Sequence, residues 1–151
     1  MLFLFLAKTA KLKHAKIAKK VTENEISYKV IGAAIDIHKS IGPGLLESAY
    51  ENALAYDLKE LGFEVKQQVP MPFIYKEVRQ EVGYRIDLLV NNKLIIEIKA
   101  VEILAPVHYA QLLTYLKLSG LNLGLLLNFN TIINGGIKNE WLKILCNIKN
   151  V

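Results

Sequence analysis

Three charged side chains lie on two neighbouring apolar segments near the middle of the chain. Asp87 lies in the segment 84–90, and Glu97 and Lys99 lie in the segment 94–99. Both segments are rich in Ile, Leu and Val, which predicts two β-strands joined by a short turn. Carboxylate oxygens are the ligands that Mg²⁺ and Mn²⁺ prefer in proteins. This hairpin is therefore the first candidate for a chemical site.

The length of the turn decides whether the two acids meet. A three-residue loop at 91–93 pairs Val90 with Leu94 and places Asp87 opposite Glu97, whereas a two-residue loop does not. We expect the three-residue loop, because its two Asn residues tolerate the left-handed backbone conformation that such loops need. Opposed β-carbons lie about 4.5–5.5 Å apart. Two carboxylates at that distance repel each other unless a cation lies between them.

A second interpretation is that Asp87, Glu97 and Lys99 form an ordinary ion cluster on the solvent face of the hairpin. The residues from Leu94 to Ile98 are so apolar, however, that both faces of their strand are expected to be covered. Buried charges are costly without a purpose, which favours the metal site.

Two helices are predicted before the hairpin. A capping box at 22–25 begins the first, which should end at Gly42. The second should run from about Leu45 to Leu61. His38 should be a packed, hydrogen-bonded residue, because no second His or Cys is near it in sequence. The predicted buried positions are Ile26, Val30, Ala33, Ala34, Ile37 and Ile41 in the first helix, and Leu46, Tyr50, Ala53, Leu54, Leu58 and Leu61 in the second.

Glu47 lies beside the apolar stripe of the second helix. An acid in a first turn is favoured by the helix dipole, typically by about 0.3–1 kcal/mol. An acid on the wet face would gain the same benefit, so its position on the core side suggests a further role.

Strands are predicted at 63–69, 73–78 and 123–129, and alternation places Tyr84, Ile86, Leu88 and Val90 on one face of the 84–90 strand. A helix at 107–118, with Pro106 at its first position, should connect the Glu97 strand to a parallel strand at 123–129. The segment 141–148 is expected to be a short helix. One face of the 107–118 helix carries His108, Gln111, Leu112 and Tyr115.

Three motifs, in this order along the chain, resemble known nucleases. Gly44-Leu45-Leu46-Glu47-Ser48-Ala49-Tyr50 is similar to the motif that names the GxxExxY protein family, a branch of the PD-(D/E)XK nuclease superfamily. Asp87 followed by Glu97-Ile98-Lys99 resembles the D…(D/E)xK signature of that superfamily. Gln111-Leu112-Leu113-Thr114-Tyr115 is similar to the QxxxY element of RecB-like nucleases. The resemblance covers about residues 26–129.

The resemblance implies an α/β fold with a restriction-endonuclease-like core, in which helices flank a mixed sheet of four to five strands. It also implies a nuclease that uses Mg²⁺, or Mn²⁺, to hydrolyse phosphodiester bonds. Lys99 would position or deprotonate the attacking water, and Gln111 would orient that water or the phosphate. The metal would be held by Glu47, Asp87, Glu97 and the main-chain carbonyl of Ile98, with Tyr50, His108 and Tyr115 as supporting residues.

The partner that this resemblance implies is nucleic acid, DNA more than RNA, and it allows a homodimer. Two alternatives stay open. One is a non-catalytic module of the same fold that binds nucleic acid or a protein. The other is an enzyme acting on a small phosphorylated substrate. The sequence contains no Walker loop, GxGxxG motif, paired-Cys zinc site or Ser nucleophile elbow, which excludes the common classes of cofactor enzyme.

The net charge of +5 is unevenly distributed. Residues 1–20 contain six Lys and no acid, and the remaining residues contain 13 Lys plus Arg against 14 Asp plus Glu, a net charge of −1. We expect residues 1–21 to be a basic extension and residues 22–151 to be one nuclease-like domain. The extension is a phosphate-binding arm, a membrane-surface helix, or a stretch translated from an upstream start codon.

Two features favour a cytoplasmic protein without a membrane span. The apolar run at 1–6 is much shorter than the roughly 20 residues that cross a bilayer. The single Cys146 cannot form an internal disulfide.

Overall fold

The structure is a computed structural model that describes residues 21–81 and 83–131 and the strand at 142–146. Residues 1–20 and most of the C-terminal segment, with the predictions made for them, lie outside the described residues. The helices are α1 (Glu23–Ile41), α2 (Glu47–Glu60) and α3 (Pro106–Ser119). The strands are β1 (Val65–Pro70), β2 (Phe73–Tyr75), β3 (Val78–Gln80), β4 (Arg85–Val90), β5 (Leu94–Lys99), β6 (Leu123–Asn128) and β7 (Leu142–Cys146).

Five strands form one mixed sheet in the order β1-β4-β5-β6-β7, and β2 pairs with β3 in a separate hairpin. Strands β5 and β6 are parallel, while the other neighbours are antiparallel. Helices α1 and α2 cover one face of the sheet and α3 covers the other. The predicted α/β fold with a mixed sheet of four to five strands is therefore confirmed.

Two predicted elements are wrong. The strand expected at 73–78 is a hairpin, because the chain reverses at Lys76 and Glu77, which have φ angles of 47° and 67°. The segment expected to be a C-terminal helix contains the strand β7 instead. Strand β7 pairs with the outer edge of β6. The main chain of the fully buried β6 needs hydrogen-bond partners on that edge.

Helix α1 begins with the predicted capping box between Thr22 and Glu25 and ends at Ile41, with Gly42 as its C-cap. Four of the six predicted core positions, Ile26, Val30, Ala34 and Ile37, are buried. Ala33 is partly buried. Ile41 is 47% exposed, contrary to the prediction, because it is the last helical residue before the chain turns away.

Helix α2 begins at Glu47, two residues later than predicted, because Leu46 has an extended backbone. Leu46 and Leu61 both lie outside the helix and are 79% and 53% exposed, contrary to the prediction. The predicted positions Tyr50, Leu54 and Leu58 are buried, together with Glu51 and Ala55, and Ala53 is only partly buried.

The β4–β5 hairpin has the predicted three-residue loop. Val90 pairs with Leu94, and Asn91 and Asn92 have φ angles of 50° and 53°. The predicted alternation of β4 fails at Ile86, however. Leu88 and Val90 belong to the core on the α1 and α2 side, whereas Ile86 packs in the core beneath α3. Strand β4 therefore changes face at Asp87.

Helix α3 lies close to the sheet because Gly124 in β6 has no side chain. A β-carbon at this position would lie 2.8 Å from Cδ1 of Leu112 in α3. This close approach holds the inner face of α3, with the buried side chains Leu112, Tyr115 and Leu116, against the sheet. No helix in the described part of the chain is long and apolar enough to cross a membrane.

Candidate active site

Asp87 lies where the β4–β5 ladder ends, one residue beyond the pair Leu88 and Ile96. Its Oδ2 accepts a hydrogen bond of 2.8 Å from the main-chain N–H of Ile98, and its Oδ1 accepts one of 3.2 Å from Nε2 of Gln68. The side chain thus takes the place of a ladder hydrogen bond. Burial raises the pKa of Asp87, and the Ile98 N–H only partly offsets this effect.

Glu97 is the most buried acid of the described chain, with 1% of its surface exposed. Its Oε1 accepts a hydrogen bond of 2.8 Å from Nζ of Lys99. Its Oε2 is also buried and has no hydrogen-bond partner among the described residues. Burial, and next the charge of Asp87, raise the pKa of Glu97 to about 7.

Lys99 is mostly buried beside these acids, with 12% of its side chain exposed. Burial alone would lower the pKa of its amine, but the hydrogen bond to Glu97 and the charges of Glu97, Glu47 and Asp87 together raise it. The amine is therefore a cation at neutral pH.

Glu47 is in the first turn of α2 and is exposed, contrary to the predicted core-side position. Its Oε1 accepts a hydrogen bond of 3.1 Å from the main-chain N–H of Ala100. This contact joins the beginning of α2 to the end of β5. Glu47, Asp87, Glu97 and Lys99, from three different elements, thus lie around the end of β5. We call these four residues the acidic site.

Tyr50 holds the connector before α2 and not the carboxylate of Glu47. Its hydroxyl donates to the carbonyl of Gly42 at 2.6 Å and accepts from the N–H of Leu45 at 3.1 Å. Its ring stacks on Phe129 at the end of β6, with 4.4 Å between the ring centroids. Any effect of Tyr50 on the acidic site passes through this connector.

Gln111 and Tyr115 lie on the inner face of α3. Nε2 of Gln111 donates to the hydroxyl of Tyr115 at 2.9 Å. Burial raises the pKa of Tyr115, the Gln111 hydrogen bond opposes this effect, and the charges of Glu97 and Asp87 add to it. Tyr115 is therefore within electrostatic reach of the acidic site, and Gln111 is linked to the site through it.

His108 has a local role. Its Nδ1 accepts a hydrogen bond of 3.1 Å from the main-chain N–H of Ala105, the residue before α3. Ala105 has no side-chain acceptor, so His108 caps its own helix. His38 is packed and hydrogen-bonded as predicted, because its Nε2 lies 2.6 Å from the carbonyl oxygen of Thr131.

Sequence reasoning missed three polar residues next to the acidic site. Glu51 is 8% exposed and accepts hydrogen bonds from the amides of Gln67 and Gln68. The sequence could have indicated that Glu51 is buried, because it lies three, four and seven residues before apolar positions on the buried stripe of the same helix. The contacts of Gln68 could not be predicted from the sequence, since they depend on a φ angle of 51° in the middle of β1.

Asn128 is the third missed residue and is fully buried at the end of β6. Its side chain accepts from the N–H of Val101 at 3.1 Å and donates to the carbonyl of the same residue at 2.8 Å. These two bonds hold the segment that follows Lys99 against β6.

The acids converge but do not form a closed cage. Within residues 21–81 and 83–131, no three His, Cys, Asp or Glu side chains are placed so that they could hold a metal ion as they stand. Glu47 and Asp87 are turned towards main-chain N–H groups, and Glu97 towards Lys99. The unpartnered Oε2 of Glu97 and the repulsion between Asp87 and Glu97 are nevertheless features that a cation would relieve.

A groove of about 610 Å³ opens elsewhere, between α1 and α2. Its charged lining residues are Lys29, Asp36, Asp57 and Glu60, and none of the predicted site residues lines it.

Comparison with known proteins gives a match to one family model, described as the PD-(D/E)XK nuclease superfamily, over residues 24–140. No curated protein matches the chain. One similar solved structure is described as "Crystal structure of SSO0001". It has 18% sequence identity and a TM-score of 0.38, over 97% of this chain and 77% of that chain. A similarity this low carries no argument about fold or function.

Proposed function

Because the chain belongs to the PD-(D/E)XK nuclease superfamily, we propose that it is a metal-dependent nuclease of the GxxExxY branch that hydrolyses phosphodiester bonds in nucleic acid, DNA more than RNA. The observation that carries this proposal is the hydrogen-bonding environment of the Glu97 carboxylate. One of its oxygens binds Lys99 and the other is buried without a partner among the described residues, beside the second acid Asp87.

The residues that would hold a divalent ion are Glu47, Asp87, Glu97 and the carbonyl oxygen of Ile98. Oxygen donors of this kind suit Mg²⁺ and Mn²⁺. When bound, such an ion neutralises phosphate charge and lowers the pKa of bound water. The oxygens of Glu47 and Asp87 that accept main-chain N–H groups each keep a second lone-pair direction that an ion could use.

Lys99 is a cation with several N–H donors, of which one is directed to Glu97. Its remaining donors are suited to orient an attacking water or to stabilise negative charge on the scissile phosphate. Gln111 would orient the hydroxyl of Tyr115 by its hydrogen bond. Tyr115 would in turn contribute to the side of the acidic site that faces α3.

The test is the cleavage of single- and double-stranded DNA and RNA with Mg²⁺ or Mn²⁺. We expect Asp87→Asn and Lys99→Met to lose at least about 100-fold in rate, as is usual when a group that stabilises transition-state charge is removed. The matched controls are Glu60→Gln and Lys59→Met, which change exposed charges on α2. Thermal unfolding verifies that each variant is folded. Cleavage at the wild-type rate by both site variants would refute the proposal.

A non-cleaving module that binds nucleic acid or a protein is the second candidate. It is favoured by the absence of a three-ligand metal cluster among the described residues and by the charge of −1 outside residues 1–20. Calorimetric titration with Mn²⁺, carried out beside the cleavage assays, separates the two candidates. Turnover of any nucleic acid supports the nuclease, whereas binding of nucleic acid without turnover supports the module.

A further inference from the structure

Gln68 has an unusual backbone conformation for the middle of a strand. Its φ angle is 51°, in the left-handed region that favours Gly and Asn. In the β1–β4 register it lies between the pairs Gln67–Leu88 and Val69–Ile86, and is therefore opposite Asp87. Such strained residues cluster at functional sites, where the surroundings hold them in place.

The left-handed conformation brings two consecutive side chains to the same acid, whereas neighbours in a regular strand point to opposite faces. Nε2 of Gln67 lies 3.3 Å from Oε1 of Glu51, and Nε2 of Gln68 lies 2.8 Å from Oε2 of Glu51. Because Glu51 is buried in α2, it is a fixed anchor for both amides.

The amide of Gln68 also reaches Asp87. Nε2 carries two hydrogens, and it bridges Oε2 of Glu51 at 2.8 Å and Oδ1 of Asp87 at 3.2 Å. The other oxygen of Asp87 accepts the N–H of Ile98. Each carboxylate oxygen of Asp87 is thus fixed by one donor, and each keeps a second lone-pair direction for a cation.

We propose that Gln68, anchored by Glu51, is a positioning residue that sets the orientation of Asp87 for cation binding. The link to cation binding rests on the proposed function, whereas the orientation of Asp87 does not. A neutral amide suits this role, because it separates two carboxylates without adding a positive charge. A Lys at this position would compensate Asp87 and compete with a divalent ion.

The first test measures Asp87 orientation in metal-free protein. The variant Gln68→Gly adopts a φ angle of 51° without strain but has no amide side chain. We expect the Ile98 amide hydrogen to exchange about tenfold faster or more, because its acceptor is no longer fixed, while the thermal midpoint stays unchanged or rises. The control Gln67→Ala loses contacts to Glu51 and Asn52 but none to Asp87, so Ile98 exchange should not change. Unchanged exchange in Gln68→Gly overturns the inference.

The second test is calorimetric titration with Mn²⁺. We expect Gln68→Gly to weaken binding by about 10- to 100-fold, the usual effect of losing a residue that orients a metal ligand. Gln67→Ala should bind like the wild type. Equal affinity of Gln68→Gly and a wild type that binds Mn²⁺ overturns the inference. A wild type that binds no Mn²⁺ and cleaves nothing overturns the proposed function, and the exchange measurement then still decides the role of Gln68.

Discussion

The two oxygens of Glu97 experience opposite environments. Oε1 is compensated by the ammonium of Lys99, while Oε2 is buried without a partner among the described residues. Leaving a buried acceptor unpaired costs about 1–3 kcal/mol, and more for a charged group. Glu97 is therefore better explained by a state in which a cation or a proton is bound to it than by the metal-free, ionised protein.

This environment predicts that the metal-free protein becomes less stable as the pH rises. The folded protein holds the Glu97 proton up to a pKa of about 7, whereas the ordinary value is 4.5. Between these values the folded state binds more protons than the unfolded state, so the free energy of unfolding falls with increasing pH. The expected fall is up to about 3 kcal/mol, at about 1.4 kcal/mol for each tenfold change in proton affinity. The raised pKa of Asp87 acts in the same direction. Denaturant unfolding in EDTA from pH 4.5 to about 8 measures this decline.

The matched variant is Glu97→Gln, which keeps the shape of the side chain and removes the titration. Its stability should vary much less over the same pH range, while Glu60→Gln, on the exposed surface of α2, should follow the wild type. A profile of Glu97→Gln parallel to that of the wild type would show that other groups cause the decline.

The sequence predicted the contacts that follow from register, and missed those that follow from backbone strain. Two Asn residues and the alternation of apolar residues were enough to set Val90 against Leu94, and hence to bring Asp87 near Glu97. The change of face at Asp87 breaks simple alternation, so the core position of Ile86 was predicted on the wrong side. Gln68 needs a left-handed φ angle that no rule for Gln anticipates.

At the level of elements, the connector between α1 and α2 gives a physical account of the GxxExxY-like motif. Gly44 has a φ angle of 106°, which a Gly adopts easily, and Tyr50 bonds both ends of the connector. Glu47 then begins α2 at the point where its carboxylate reaches the end of β5. We therefore expect each fixed position of the motif to contribute to holding the Glu47 carboxylate in place.

Replacing Tyr50 by Phe should loosen this connector. The variant loses the bonds to the Gly42 carbonyl and the Leu45 N–H but keeps the ring stacked on Phe129. We expect the free energy of unfolding to fall by about 1–2 kcal/mol, the usual effect of losing one or two hydrogen bonds. The cleavage rate should fall about tenfold, since Glu47 is held less firmly. Denaturant unfolding and single-turnover cleavage measure the two effects.

The control on the same helix is Tyr56→Phe, because Tyr56 is 65% exposed. It should change neither quantity. If Tyr50→Phe lowered stability but left the cleavage rate unchanged, the connector would be structural only and would not position Glu47.

Prediction of elements succeeded where a local signal defines both ends. Helix α1 has its capping box and Gly42, and α3 has Pro106 and a left-handed Gly120. It failed where the partner decides the structure. Strand β7 pairs with the free edge of β6. Its conformation depends on this pairing in the assembled sheet, which the sequence of the segment alone does not indicate. The hairpin β2–β3 depends on a turn at Lys76 and Glu77, two residues that carry no turn signal.

On the scale of the whole molecule, the charge is divided between two parts of the chain. Residues 1–20 carry six Lys, and the rest of the chain has a net charge of −1. Phosphate contacts dominate non-specific affinity for nucleic acid and depend on Lys and Arg. The acidic site adds local negative charge, so a nucleic-acid substrate, as proposed above, would have to be attracted by positive charge elsewhere in the chain.

We therefore predict that residues 1–20 supply most of the non-specific affinity for nucleic acid. A variant with all six Lys changed to Gln should bind duplex DNA more weakly in EDTA, with a smaller dependence on salt. The slope of log affinity against log salt concentration should decrease by as much as about 5, since each phosphate contact contributes about 0.9. The cleavage rate at saturating substrate should not change, because the acidic site is unaltered.

The control variant, with the six Lys changed to Arg, keeps the charge and should retain both the affinity and the slope. An unchanged slope in the Gln variant would place the phosphate contacts within residues 21–151, on a local basic patch that opposes the net charge of that region.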